Sequence, residues 1–284
     1  MHLSVVIVSH STRALLLECL EAVAEARTAF DGETEVFVVD NASRDGSADA
    51  VRAAFPSVTV VENAHNAGFA AANNVALKKV SGRYALLLNP DTRVPTYLFA
   101  PLLRVMDEKP RVAVCAPLLL NADGTPQPNW ACFQNALSEL TGRLNRSQSP
   151  YPLSFFDDRT GRSSMRPFPV DWIGGACLLV RGEAAHAVGY LDEAFFLYGE
   201  DEEWCYRFAC AGWQTLLVPS VSVTHLGGQS AATLPQDETR ERLYRSTLLL
   251  YRKLHGAGGA VLPSLLAAAR FGLFRMRNRL RAGG

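Results

Sequence analysis

The sequence predicts an α/β fold in which a mainly parallel sheet is flanked by helices. Five apolar segments in the first 120 residues alternate with segments of helical periodicity, a pattern typical of parallel strands covered on both faces. The 284 residues, 48% of them hydrophobic, suffice for one large domain with a smaller appendage. The predicted strands are 3–9, 35–40, 58–63, 84–89 and 112–120, and the predicted helices are 12–28, 47–54, 69–80 and 95–108.

The pattern changes after residue 120. Residues 121–169 are rich in Pro, Ser, Arg and Asn and have no clean period, which indicates a functional segment rather than an inert loop. We expect one domain over 1–230 and a C-terminal helical extension over 231–284. Its later predicted elements are a strand pair with a short helix over 170–184, an acidic helix from about Asp201 to near Gly212, strands at 214–218 and 221–228, and a helix over 236–254.

Composition and missing motifs exclude several classes of protein. Lysine plus arginine and aspartate plus glutamate each number 28, so no net charge favours a nucleic-acid partner. The six cysteines form no CxxC pair and no zinc spacing, which indicates reduced thiols and a cytoplasmic location. We expect neither a signal peptide nor a membrane-spanning helix. The absence of GxGxxG, GxxxxGK[ST] and GxSxG excludes a Rossmann dehydrogenase, a P-loop enzyme and a hydrolase nucleophile elbow.

Polar residues follow the ends of the predicted strands, where parallel sheets bind ligands. Asp40, in "VVDNASRDGS", either caps the next turn or accepts a hydrogen bond from a base or ribose. In "NAHNAGFAAANN", Gly68 opens a helix whose amides are placed to face an anion. The asparagines of this stretch are either caps and turns or contacts to a polar ligand: Asn63, Asn66, Asn73 and Asn74.

Asp91 and His225 are candidate metal ligands. Asp91 follows the fourth strand in "LLLNPDTRV", where it is either a helix-start acid or a ligand of Mg²⁺ or Mn²⁺. His225 ends the apolar run "VSVTH" and is more often structural in such a position. It becomes a ligand candidate only if it lies beside Asp91.

A row of four acids starts the predicted acidic helix. The stretch "YGEDEEWCYRFACAGW" covers residues 198–213, and its acids are 200–203. Unpaired amides and the helix dipole favour acids there, so the row is either a solvated first turn or part of a reactive site. In "WIGGACLLV", Gly174 and Gly175 form either a tight turn or a close approach of backbone to a ligand.

Seven stretches resemble the family 2 glycosyltransferases of the rhamnosyltransferase-like branch, which have the GT-A fold. They occur in family order over residues 3–228: "VVIVSHS", "VVDNASRDGS", "NAGFAAANN", "LLLNPDT", "WIGGACLLVRGEA", "FFLYGEDEEWCYR" and "VTHLGG". The resemblance implies a nucleotide-sugar half over 1–120 and an acceptor and catalytic half over 121–230.

The resemblance also implies roles for individual residues. Asp201 matches the catalytic base, Asp91 the ligand of a divalent metal on the diphosphate, and His225 a residue that completes this metal site. The family's metal motif is often DxD, whereas here it reads Asn89-Pro90-Asp91, which leaves metal dependence less strict. The implied nucleotide-sugar contacts are Ser9, Asp40, Asn41, Asn66, Gly68, Asn73 and Asn89, and the implied acceptor-side residues are Trp172, Gly174, Gly175, Tyr198, Glu200 and Trp204.

The implied reaction is an inverting transfer from a nucleotide sugar, with dTDP-rhamnose as the expected donor and a UDP-sugar as the alternative. The expected acceptor is a hydroxyl of a glycan or lipid-linked glycan in cell-surface polysaccharide synthesis. Tyr198 and Trp204 are expected to shield the site and stack on sugars, and at least one of Glu202 and Glu203 to be a plain first-turn acid. The alternatives are a catalytically inactive nucleotide-sugar-binding relative or complex subunit, and a pyrophosphorylase-like enzyme, whose basic Gly-rich loop is missing.

The C-terminal residues form a basic amphipathic pattern. Residues 257–284 contain five arginines and no acid. Through 260–281 this helix either lies on an anionic membrane surface, as a peripheral protein at the cytoplasmic face, or packs on its own domain or a homodimer partner. Its apolar stripe consists of Leu262, Leu266, Ala269, Leu273, Met276 and Leu280.

Overall fold

The computed structural model describes residues 2–136, 156–157, 162–163, 166–227 and 236–282. Much of the predicted irregular segment 121–169 therefore lies outside the described residues. The strands are β1 (Leu3–Ser9), β2 (Thr34–Asp40), β3 (Thr59–Glu62), β4 (Tyr84–Leu88), β5 (Thr92–Arg93), β6 (Val112–Leu120), β7 (Pro126–Gln127), β8 (Trp130–Ala131), β9 (Phe156–Asp157), β10 (Arg162–Ser163), β11 (Phe168–Val170), β12 (Trp172–Ile173), β13 (Cys177–Arg181) and β14 (Gln214–His225). The helices are α1 (Arg13–Thr28), α2 (Ser47–Ala54), α3 (Phe69–Leu77), α4 (Phe99–Glu108), α5 (Gly182–Val188), α6 (Glu200–Cys210), α7 (Gln236–Gly259) and α8 (Val261–Ala282).

Within the described residues, one sheet runs in the order β11-β14-β6-β13-β4-β1-β2-β3. The pairs among β3, β2, β1 and β4 are parallel, which confirms the predicted parallel half. β13 lies antiparallel between β4 and β6, so the fifth predicted strand does not adjoin the fourth. β13 is buried along its whole length, as a strand in the centre of a sheet must be.

Two predicted strand arrangements are wrong. The expected strand pair in 170–184 does not form, because β12 pairs with β8 while β13 pairs with β4 and β6. The two strands expected at 214–218 and 221–228 are one strand, β14, with a register shift between Val218 and Ser222. Pro219 lies in this interval and has no amide hydrogen for the ladder, which accounts for the irregularity.

Helices cover both faces of the sheet. Val5 and Ile7 of β1 belong to the apolar cluster that includes residues of α1 and α4. Val6 points to the opposite face and belongs to the cluster that includes α3, α5 and α6. Because β1, β2 and β4 are parallel, their carboxyl ends meet at one edge, where the polar residues of the predicted site lie.

The two C-terminal helices pack on the domain and on each other. Leu250 and Leu254 of α7 form a buried cluster with Phe195. α7 continues past its predicted end and changes direction at Gly256, whose φ is +66°. None of the described helices is long and apolar enough to cross a bilayer.

Arg181, the last residue of β13, links α4 and β6 to the centre of the sheet. Its guanidinium is buried, with Nε donating to Val112 O at 2.8 Å and Nη2 donating to Met106 O at 2.5 Å and Lys109 O at 3.2 Å. The Met106 and Lys109 carbonyls belong to the end of α4 and the turn that follows it, and the Val112 carbonyl belongs to the start of β6. One side chain therefore satisfies several backbone acceptors that water does not reach.

We predict that Arg181→Leu lowers the free energy of unfolding by about 3 kcal/mol, because it leaves buried carbonyls without donors. Urea denaturation measures this loss. The matched control is Arg83→Leu, since Arg83 is exposed, pairs with Asp107 at 2.9 Å and flanks the same Tyr84 ring. The control is expected to lose about 1 kcal/mol or less. Equal losses in the two variants would contradict the structural role of Arg181.

Candidate active site

Ser9 and Asp40 lie side by side at the carboxyl edge of the sheet, as the register of β1 and β2 requires. Asp40 is buried, and its Oδ2 accepts a hydrogen bond from the Ser43 amide at 3.2 Å. Its Oδ1 is also buried and has no hydrogen-bond partner among the described residues. A buried carboxylate oxygen without a donor is costly, so Asp40 fits the predicted contact to a base or ribose. Ser9 Oγ lies 2.9 Å from Thr12 Oγ1 and already has a partner.

Asn41 holds two ligand-site loops together. Its Nδ2 donates to Asn66 Oδ1 at 2.8 Å and to Gly68 O at 3.4 Å, and its Oδ1 accepts from Asn63 Nδ2 at 2.9 Å and Ala67 N at 3.0 Å. These four bonds use the full capacity of the amide. Asn41 is therefore a structural clamp, which corrects its expected role as a nucleotide-sugar contact.

The expected anion site at the start of α3 does not form at its first amides. Ala67 N donates to the Asn41 clamp, Gly68 N donates to Asn66 Oδ1 at 3.1 Å, and Phe69 N donates to Phe196 O at 2.8 Å. Gly68 is required for this contact, because its φ is +85° and a Cβ would lie 2.4 Å from Phe196 O. The glycine serves loop packing rather than anion binding.

Asn73 and Asn74 are buried inside the domain. Asn73 Nδ2 donates to Phe69 O one turn back, at 2.9 Å. Asn74 bonds both the carbonyl and the amide of Leu191, at 2.8 and 3.1 Å. These bonds favour the structural interpretation of both asparagines over the expected donor-site role of Asn73.

Asp91 and His225 come together as the candidate metal pair. Asp91 Oδ1 lies 3.3 Å from His225 Nε2, and both side chains are largely buried. The pairing of β14 with β5 sets His225 opposite Thr92, and Leu226 N donates to Asp91 O at 2.9 Å. Asn89 Nδ2 lies 3.4 Å from the same His225 nitrogen. The strand end thus brings together a carboxylate, an imidazole and an amide that are far apart in sequence.

Gln127 fixes the orientation of His225 and was not found from the sequence. Its Oε1 lies 2.6 Å from His225 Nδ1. An amide oxygen only accepts, so this contact places a proton on Nδ1 and leaves Nε2 as the ring nitrogen that faces Asp91. Metal-binding histidines are commonly oriented by such a second contact. No local signal in the sequence links residues 127 and 225.

The residues of this pair fit a divalent cation. One carboxylate and one imidazole nitrogen suit Mn²⁺, and Mg²⁺ sites take one or two protein carboxylates with phosphate oxygens and water. No group of three or more Asp, Glu, His or Cys side chains suited to a metal occurs within the described part of the chain. A cation here therefore needs ligands from a bound diphosphate and water.

The acid row of α6 is not a solvated first turn. Glu200, Glu202 and Glu203 are 4%, 1% and 4% exposed, so three of the four acids are buried. Glu203 Oε1 and Oε2 each lie 2.9 Å from Arg207 Nε, one turn along the helix. Glu203 is therefore paired within its own helix, whereas the expectation for Glu202 and Glu203 was a plain, solvated first-turn acid.

The other two buried acids differ in their surroundings. Glu202 accepts hydrogen bonds from the amide and the side chain of Gln134, at 2.7 and 2.8 Å. Burial nevertheless raises the pKa of Glu202 to about 8. Burial, and then the charge of Asp201, raises the pKa of Glu200 to about 8. Glu200 Oε2 has no hydrogen-bond partner among the described residues. Both groups therefore hold a proton at neutral pH.

Asp201 is the one acid of the row that is half-exposed. Its Oδ2 accepts from Gly175 N at 3.1 Å and its Oδ1 from Glu202 N at 2.8 Å. A Cβ on Gly174 would lie 3.7 Å from the same Oδ2, which is an ordinary contact distance. Gly175 contributes its amide, and together the two amides fix the orientation of the carboxylate.

Asn129 completes this corner and was not found from the sequence. Its carbonyl accepts from Gly174 N at 2.7 Å. Its Oδ1 and Nδ2 are both buried without a hydrogen-bond partner among the described residues. The glycine pair thus lies between a fixed carboxylate and an amide with unused bonding capacity.

The two aromatic residues expected to stack on sugars differ. Tyr198 is 40% exposed and has a φ of +69°, which holds it at the turn before α6. Trp204 is fully buried, its Nε1 donates to Gly189 O at 2.8 Å, and its ring packs on Phe208. Trp204 belongs to the core, so its expected acceptor-side role is wrong. Trp172 is half-buried and donates to Cys132 O at 3.0 Å.

Relatives of known activity resemble most of the chain. An N-acetylglucosaminyl-diphospho-decaprenol L-rhamnosyltransferase of Mycobacterium tuberculosis is 27% identical over 247 residues, which are 82% of this chain and 79% of the relative. The low-salt glycan biosynthesis hexosyltransferase Agl10 of Haloferax volcanii is 24% identical over 209 residues, which are 72% of this chain and 61% of the relative.

Solved structures show the same fold. A mannosyltransferase of Pyrobaculum calidifontis, in complex with GDP-Man and Mn²⁺, has a TM-score of 0.58 and 18% identity, covering 99% of this chain and 79% of that one. S. aureus TarS 1–349 has a TM-score of 0.57 and 16% identity, covering 93% of this chain and 71% of that one. The expected GT-A fold is thereby confirmed.

The family is shown by a match to its sequence profile. Residues 4–162, more than half of the chain, match the profile described as glycosyl transferase family 2. This range contains the candidate metal residue Asp91 and the buried Asp40. The chain belongs to glycosyl transferase family 2.

Proposed function

We propose that this glycosyltransferase moves rhamnose, with inversion, from dTDP-rhamnose to a hydroxyl of a lipid-linked glycan. The activity named for the mycobacterial relative supports both the sugar and the lipid-diphosphate class of acceptor. The observation that carries the proposal is the setting of Asp201, a half-exposed carboxylate fixed by two backbone amides beside the glycine pair.

Asp201 acts as the general base in this proposal. It takes the proton of the acceptor hydroxyl while that oxygen bonds to the anomeric carbon and the bond from this carbon to the diphosphate breaks. The sugar carries positive charge in the transition state, and the carboxylate faces it. Glu200 and Glu202 hold protons and Glu203 pairs with Arg207, so Asp201 provides the negative charge of the row.

Asp91 and His225 hold the metal in this proposal. Mg²⁺ or Mn²⁺ would supply positive charge to the diphosphate as it leaves. Gln127 keeps His225 Nε2 available as a ligand. Asp40 receives the nucleoside through the carboxylate oxygen that has no donor in the described structure. In this proposal, donor binding takes place at one half of the sheet and proton transfer at the other.

The first prediction concerns the base. We expect Asp201→Asn to lower transfer by about 10²- to 10⁴-fold, the range for removal of a general base, because an amide does not accept the proton. Donor binding, measured by titration calorimetry with dTDP-rhamnose and Mn²⁺, is expected to remain. The control is Glu203→Gln, which breaks the pair with Arg207 and is expected to lower stability while turnover stays within about threefold. If Asp201→Asn transferred sugar as fast as the Glu203→Gln control, the role of Asp201 as general base would be contradicted.

The second prediction concerns the metal. We expect Gln127→Leu to raise the Mn²⁺ concentration needed for half-maximal donor binding by about 10- to 100-fold, because His225 loses its orienting contact. Calorimetric donor titrations at stepped Mn²⁺ concentrations give this value.

The matched control is Asn121→Ala, which removes the contact between Gln127 Nε2 and Asn121 Oδ1, at 3.0 Å, and leaves the contacts of Gln127 to His225 in place. An unchanged Mn²⁺ requirement in Gln127→Leu would contradict the orienting role of Gln127 in metal binding.

The third prediction concerns pH. Burial raises the pKa of Glu202 from its ordinary value of 4.5 to about 8 in the fold, so the folded chain keeps a proton that the unfolded chain releases. This stability is complete below about pH 4.5 and is lost as the pH rises through about 8. We expect the free energy of unfolding to fall between pH 5 and 8, and to fall less steeply in Glu202→Gln.

Urea denaturation at stepped pH measures both slopes. The control is Glu193→Gln, because bonds from Asn74 and Lys78 lower the pKa of Glu193 and its titration ends below this window. Identical slopes in Glu202→Gln and the wild type would contradict the protonated state of Glu202.

A further inference from the structure

The first part of α8 has one packed face. Ala260, which precedes the helix, and Ala267 are buried against Tyr251 of α7. Farther along, the Phe271 ring stacks on Tyr244 with 4.4 Å between ring centroids and 1° between planes. The helix therefore packs on its own domain through these residues, which is one of the two arrangements that the sequence left open.

A second face of α8 is apolar and exposed. Val261, Leu262 and Leu265 are 55%, 58% and 63% exposed, the largest values among the exposed large hydrophobic residues that the structure describes. They occupy little more than one helical turn. We call these three residues the apolar tip. It shares only Leu262 with the predicted stripe, in which Leu266 is half-buried, Ala269 is exposed, and the side chains of Leu273, Met276 and Leu280 lie outside the described residues.

Positive charge follows the apolar tip along the same helix. Residues 257–284 carry five arginines and no acid, so this region has a formal charge of +5 while the whole chain has none. Arg270, the first of them, is exposed. An apolar patch followed by cationic side chains is the combination that binds an anionic lipid surface. In a symmetric contact between two copies, this region would instead meet the identical region and its like charge.

The helix pair is joined to the catalytic helix through Gln134. Tyr251 Oη of α7 lies 3.3 Å from Gln134 Oε1, and His255 Nε2 lies 2.8 Å from Gln134 O. Gln134 in turn donates twice to Glu202 of α6. α7, on which α8 packs, is therefore linked to α6 through Gln134.

We propose that the apolar tip and the following arginines dock α8 on an anionic bilayer surface. The leucines enter the boundary between headgroups and acyl chains, and the guanidinium groups stay at the phosphates. The inference concerns lipid binding and does not require the transfer chemistry proposed above. Docking on lipid gives a reason why α8 carries exposed leucines and Arg270 on the same helix.

The test is cosedimentation of the purified full chain with phosphatidylglycerol vesicles and with phosphatidylcholine vesicles. We expect the wild type to bind the anionic vesicles at least about tenfold more tightly, and this preference to fall as salt is raised. We expect Leu262→Gln/Leu265→Gln to bind about tenfold or more weakly, with an unchanged circular dichroism spectrum. Leu262→Met/Leu265→Met, the control at the same positions, retains binding because it keeps the apolar area.

Two outcomes would overturn the proposal. One is equal binding to both lipids by the wild type, or unchanged binding by the glutamine variant. The other is a wild-type dimer that the glutamine variant converts to a monomer, seen by light scattering, without vesicle binding by either protein; the apolar tip is then a contact between copies. Transfer to a short-chain acceptor, measured without vesicles, is expected to be equal in the two leucine variants. Vesicle binding therefore tests the lipid proposal, and vesicle-free transfer separately tests the transferase proposal.

Discussion

The burial of three carboxyl groups in the first turn of α6 is the constraint on which the site depends. A buried unpaired carboxylate is too costly to persist, so each group must be paired or hold a proton. Glu203 pairs with Arg207, while burial raises the pKa of Glu200 and Glu202 until they hold protons at neutral pH. Asp201, the remaining acid of the row, is half-exposed and is fixed by two backbone amides.

The sheet supplies the second half of the arrangement. Parallel strands bring Asp40 and Asn89 to one edge, and β14 returns along β6 to set His225 against Asp91. The Asn41 clamp joins the loops after β2 and β3, so the edge that we propose to bind the nucleoside is held by internal bonds. Preformed polar edges of this kind reduce the ordering that a bound donor would otherwise require.

Local features were predictable from the sequence and long-range ones were not. The first four strands follow from continuous apolar runs, whereas the antiparallel position of β13 depends on pairing with residues about 90 positions away. Tertiary contacts decide which face Trp204 packs on. They also decide which groups form hydrogen bonds with the Asn41 side chain. The closeness of Asp91 and His225 was implied by family resemblance, but the Gln127 contact that orients His225 has no sequence signal.

We propose that one carboxylate, Asp201, removes the acceptor proton in a single displacement. This displacement is tested by the anomeric configuration of the transferred sugar, determined by NMR on the product formed from dTDP-rhamnose and a lipid-diphosphate-linked N-acetylglucosamine acceptor. We expect a configuration opposite to that in the donor, because the acceptor attacks the face away from the leaving diphosphate. A retained configuration would rule out the single displacement, since it requires a covalent intermediate or attack on the same face.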